Sequence, residues 1–108
     1  MENKQLGLKY DADKLKWSLL RVGCTRALQG VIRVLMFGAK KYKAHSWKTV
    51  PNGEERYRDA LERHLSEIDI HGPYSTDEES GELHWHHIAC NALFLAELHS
   101  KPNVPIRE

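Results

Sequence analysis

The chain has 108 residues, 16 Lys and Arg against 15 Asp and Glu, and a formal net charge of +1 with its seven histidines neutral. That length bounds it to one domain, residues 1–108, with a thin core; roughly 60–65% of the unfolded surface would be buried, so self-association is expected. Balanced charge argues against a binder of nucleic-acid polymer, no apolar run reaches the ~18 residues a membrane span needs, and MENKQLGLKYDADKLKW lacks a leader's apolar block.

Residues 1–22 read as an irregular arm. Gly7, Asp11 and Asp13 break its periodicity, while Leu6, Leu8, Tyr10 and Trp17 are placed to pin it to the body. A first helix is expected over Thr25–Lys43. Thr25 is a candidate N-cap, Leu28, Val31, Ile32, Leu35, Met36 and Ala39 recur at three and four residues, and lysines close the end where the dipole favours cations. AHSWKTVPNG is a loop by its Pro51 and Asn52-Gly53 turn signals. A second helix should run from Gly53 to Ile70, with Asn52 and Glu55 as a capping pair and Tyr57, Leu61, His64, Leu65 and Ile68 on one face. HGPYSTDEESG is a second loop. Its acids Asp77, Glu78 and Glu79 fall where a third helix, Glu82–His99, would profit from negative charge. Residues 100–108 form a tail with two prolines. No stretch alternates with period two for long enough to be a strand. The fold class is therefore all-α: three main helices with an irregular N-terminal arm, completed by a helical oligomer.

The third helix carries the most informative stretch, HWHHIACNALFL. Ile88, Ala89, Cys90, Ala92, Leu93, Phe94, Leu95, Ala96 and Leu98 point in every direction, as in a helix buried all round. His84, His87 and Asn91 share one face, and buried polar groups need partners. His86 lies on another side and reads as solvated. On the second helix, RHLSE places Arg63, His64 and Glu67 within one turn. If these faces meet, the pocket holds imidazoles, a carboxylate, an amide and a guanidinium, a set suited to a divalent metal or a phosphate. The plainer alternative is a hydrogen-bond network that only fixes packing. FGAKKYKAHSWK gathers Lys40, Lys41, Tyr42, Trp47 and Lys48, cations and ring faces that suit a phosphorylated base. Its plainer alternative is a solvated lysine cluster with Tyr42 and Trp47 in the core. Cys24 and Cys90 form no CxxC and read as buried free thiols of a reducing compartment.

In order along the chain, KYDADK, VLMFGAKKY, a Trp, RH, DEESG and HxxHxxxNALFL resemble the small phage proteins of the dATP/dGTP diphosphohydrolase-like family, distant relatives of the MazG-type all-α nucleotide pyrophosphohydrolases. The resemblance spans residues 9–98. It implies a phage protein in the cytoplasm of an infected host cell, a homo-oligomer that cleaves a nucleoside triphosphate to monophosphate and pyrophosphate. MazG-type enzymes hold Mg²⁺ on acidic helix patterns, because that ion wants oxygen ligands. Here the first helix carries no carboxylate, and His84 and His87 stand where acids are expected. Imidazole better suits Zn²⁺, Mn²⁺ or Ni²⁺, so the family points to Mg or Mn and the ligand types to Zn, Mn or Ni.

Three functions follow. In the first, a hydrolase, His64, Glu67, His84 and His87 hold a metal, Lys40, Lys41 and Arg63 hold phosphates, Tyr42 or Trp47 stacks on the base, and Asn91 completes the nucleotide pocket; no catalytic base is identified. In the second, the lost carboxylates leave a catalytically inactive, metal-free sponge that sequesters a nucleotide signal of host anti-phage defence. The third is an interaction protein without a small ligand.

Overall fold

The computed structural model describes Tyr10 and residues 12–100. Among them are four α-helices and no strand: α1 Trp17–Gly23, α2 Thr25–Lys41, α3 Gly53–His71 and α4 His84–His99, with a single 3-10 turn at Ser46–Thr49. The all-α expectation holds. The arm differs from it, because α1 occupies its last third. Leu6, Leu8 and the tail from residue 101 onward lie outside the described residues.

Local chemistry explains most boundaries. Thr25 does not cap α2. Cys24 takes the N-cap position, and the Thr25 hydroxyl donates back to the carbonyls of Arg21 at 2.8 Å and Val22 at 3.2 Å, coupling α1 to α2. Asn52 occupies the N-cap of α3 in the left-handed region, φ 56°, and makes no side-chain cap bond, so the capping pair with Glu55 is absent. Glu54 and Glu55 still favour that helix start through the dipole. Gly72, φ 99°, then turns the chain out of α3 in a conformation that side chains resist.

α4 is the central element, packed against α3 and α2. Tyr57 near the start of α3 meets Phe94 late in α4, while His64 farther along meets His84 at the start of α4, so the two helices are antiparallel. The core is small. Val31, Val34 and Cys90 are buried together with Ala89 and Phe94 against them, and Ile68 is buried on α3. Trp47 stacks on Phe94 with centroids 4.1 Å apart and meets the edge of Tyr57, whose hydroxyl donates to the Trp47 carbonyl. Where α2 crosses α4, Gly30 is buried because the His86 ring lies against its backbone. His86 is thus half-buried rather than solvated. Its Nδ1 lies 3.2 Å from Glu82, and Glu82 also accepts from Arg33 of α2 at 2.8 Å.

One expectation fails within the single chain: α4 is not buried all round. Leu93 is 52% exposed, and on the neighbouring α2 so are Ile32 at 52% and Met36 at 64%. Cys24 is also exposed, and only Cys90 is a buried thiol.

Candidate functional site

The segment between α3 and α4, residues 72–83, is folded back on itself by backbone bonds. Thr76 and Leu83 form an isolated antiparallel bridge, the Asp77 amide donates to Glu82 at 2.8 Å, and the His84 amide donates to Ser75 at 3.1 Å. Inside it, a tight turn closes from Asp77 to Gly81, whose φ of 77° calls for glycine. The Asp77 carboxylate accepts the amides of Glu79 at 3.1 Å and Ser80 at 2.9 Å. That is the Asx chemistry of turns. It also aims Asp77 at the first turn of α4, where His84 and His87 lie and where the helix dipole favours negative charge.

Three elements converge there. His64 comes from the middle of α3, His84 from the first turn of α4 and Asp77 from the turn, and one ligand atom of each lies within 4.8 Å of the others. The Nδ1 atoms of His64 and His84 are 2.8 Å apart, a hydrogen bond that needs a proton on only one ring. His87 stacks on His64 with centroids 4.4 Å apart and planes at 12°, while its Nε2 is 2.6 Å from the Ser80 hydroxyl and 3.9 Å from Asp77. Burial, helped by the neighbouring His87 and His84, pushes His64 down to about 4. Burial also lowers His87, against the attraction of Asp77. Burial would raise the Asp77 carboxyl, but the Ser80 amide and the nearby His87 outweigh it and hold the group below its ordinary range. The result at neutral pH is two uncharged imidazoles beside a carboxylate. The positive end of α4 works in the same direction, since it disfavours cations in the first turn.

This cluster forms one wall of a cavity of about 560 Å³ whose lining also includes Arg63, Glu67, His71 and Glu78. The sequence-derived residues distribute as follows. His64 and His84 meet, with His87 against them. Arg63 lines the same cavity. Glu67 lines it too, but its carboxylate lies 3.6 Å from His71 and outside the three-ligand group. Asn91 is buried and donates one turn back to the His87 carbonyl at 2.8 Å, so its amide is engaged within α4. Lys41 donates to Glu79 at 2.7 Å and lies over the Tyr42 ring at 5.3 Å, which ties the end of α2 to the Asp77 turn. Lys40 and Tyr42 are exposed. Trp47 belongs to the aromatic stack and lines a second cavity of about 340 Å³, which holds no member of the histidine cluster. Asp77 is the carboxylate that sequence spacing missed. Its signal was an Asp followed by Ser80 and Gly81, the pattern of a closed turn.

Comparison with protein families matches the chain to the family described as dATP/dGTP diphosphohydrolase, N-terminal, over residues 4–104. The chain belongs to this family. Comparison with curated proteins and with solved structures returned no match. In a diphosphohydrolase family, which implies a divalent ion, His64, Asp77 and His84 are the group of side chains that could hold one. Asp77 is the one carboxylate of that group, with Glu67 and Glu78 also in the cavity lining.

Proposed function

We propose that this protein hydrolyses a purine deoxynucleoside triphosphate in the cavity between α3, the Asp77 turn and α4, giving the monophosphate and pyrophosphate. The supporting observation is the family match over residues 4–104, joined to a cavity that sets Arg63 beside two imidazoles and a carboxylate. A guanidinium suits phosphate because its planar fork donates two parallel hydrogen bonds. In the reaction a water oxygen adds to phosphorus, the bridging P–O bond breaks, pyrophosphate departs, and the water's proton is released. A divalent ion bound there supplies charge neutralisation on the phosphates and a more acidic water. His87, pinned by Ser80 and near Asp77, is a neutral base at the edge of the cluster. Lys41, at the end of α2, is already engaged by Glu79, so phosphate binding through Lys41 requires that ion pair to open, while Lys40 beside it is exposed.

The protein acts as a homo-oligomer in this reading. The exposed Ile32, Leu35 and Met36 on α2 and Leu93 on α4 form an apolar surface that a second copy of so thin a domain would cover. No helix among the described residues is long and apolar enough to cross a membrane. A second reading, sequestration of a nucleotide without turnover, draws on α2, which carries no carboxylate.

Mass spectrometry separates the two. Purified protein is mixed with dATP, dGTP, the other canonical nucleotides and a panel of cyclic nucleotides, with divalent metal or with EDTA, then desalted. Monophosphate and pyrophosphate formed from dATP or dGTP only with metal support hydrolysis. An intact nucleotide retained through desalting and indifferent to EDTA supports sequestration and overturns hydrolysis.

A further inference from the structure

We propose that His64, Asp77 and His84 form a three-ligand site for a borderline divalent ion of the zinc class, in preference to magnesium, with its open position toward the cavity. This deepens the hydrolase reading, whose cavity it occupies, but it stands on the geometry of the cluster. Three donors from three separate segments lie within 4.8 Å of one another. Two bonds of about 2.0–2.1 Å to nitrogen at a tetrahedral angle separate the donors by about 3.3 Å. The His64 and His84 Nδ1 atoms, at 2.8 Å, need to part by only about half an ångström, with the shared proton leaving as the ion enters.

Each donor is already oriented. The Asp77 carboxylate is fixed by the Glu79 and Ser80 amides. The His64 ring is braced by His87, itself held through Ser80. His84 is buried in the first helical turn, with its amide bonded to Ser75. Such supporting contacts are what distinguish a metal site from a chance meeting of side chains. The donor set then selects the ion. Two imidazoles and one carboxylate, with a position left for water or a phosphate oxygen, match the ligand pattern of catalytic zinc. Magnesium demands near-octahedral oxygen and gains little from imidazole. Glu67, which helical spacing suggested as the carboxylate, remains in the cavity wall near His71.

The test is calorimetry on untagged full-length protein stripped with EDTA and free of nucleotide. Zn²⁺, Mn²⁺ and Mg²⁺ are titrated separately, and cobalt(II) is added as an optical probe. The expected result is one Zn²⁺ per chain, bound about 100-fold more tightly than Mg²⁺, with the intense visible absorption of four-coordinate cobalt. Asp77→Asn and His84→Ala should each weaken Zn²⁺ by about 100-fold, while His99→Ala, at the far end of α4, should leave it unchanged. Circular dichroism shows which variants fold, and His64→Gln replaces any that does not. Tighter binding of Mg²⁺ than Zn²⁺, or unchanged zinc affinity in folded Asp77→Asn, would overturn the assignment. Because no nucleotide is present, zinc binding and turnover fail separately. Magnesium-supported turnover without zinc binding sinks this site and leaves the hydrolase.

Discussion

Gly30→Ala probes the contact that sets the spacing of α2 and α4, and with it the position of the first turn of α4. In an open helix interior the substitution would stabilise by about 1 kcal/mol, because alanine loses less backbone freedom than glycine. Here the added Cβ would overlap atoms of the His86 ring. His86 must swing out, losing its 3.2 Å contact with Glu82, or the helices must part. Overpacking of this kind costs about 1–3 kcal/mol. The net expectation is a loss of about 1 kcal/mol. In a His86→Ala background the obstacle is gone, and the same Gly30→Ala change should stabilise by about 1 kcal/mol. The coupling between the two positions is then about 2 kcal/mol, read from a double-mutant cycle. Urea unfolding followed by far-ultraviolet circular dichroism measures it, at one fixed protein concentration because self-association shifts apparent stability. A Gly30→Ala effect of the same sign and size in both backgrounds would refute the reasoning.

Trp47→Ala removes the stack on Phe94 and the edge contact with Tyr57, and should cost about 2–4 kcal/mol in the same unfolding assay; a loss below about 0.5 kcal/mol would return Trp47 to a surface role. Of the two thiols, exposed Cys24 should react with an aromatic disulfide reagent in the native protein, whereas Cys90, pushed up to about 11 by burial, should react only on unfolding; two fast thiols would contradict the packing. In EDTA, the His64 ring gives a pH-dependent term of fixed sign. Its folded value, about 4, lies below the ordinary 6.5, so the unfolded chain takes up the proton first: stability is intact above about 6.5 and falls as the pH drops toward 4. After allowance for solvent screening of a half-buried ring, the loss is about 1–2 kcal/mol, and His64→Gln should flatten that part of the stability curve.

The three long helices were legible because α2 and α3 carry apolar residues at three- and four-residue spacing, α4 is an almost unbroken apolar run, and α3 is bounded by the turn signals Asn52-Gly53 and Gly72-Pro73. α1 was not legible, since WSLLRVG is too short to show a period and carries no side-chain cap. Thr25 looked like a cap because its residue type favours one, yet its hydroxyl found the carbonyls of the preceding helix. The candidate site was half legible for a similar reason. Helical spacing places Glu67 on the His64 face and pairs His84 with His87 and Asn91, but it cannot say what a loop brings across. Asp77 reaches the histidines only because the 77–81 turn and the Thr76–Leu83 bridge fold the segment back. Asn91, polar on an apolar helix, found its partner one turn away on its own backbone.

The central claim is that dATP or dGTP is split in the cavity beside Asp77. The most direct measurement is chromatographic product analysis of dATP and dGTP incubated with the wild-type protein and with folded Asp77→Asn, each with and without divalent metal. The account predicts dAMP or dGMP with equimolar pyrophosphate from the wild type with metal, and unchanged triphosphate from the variant. Equal turnover by both proteins, or no turnover by the wild type with any metal, would contradict it.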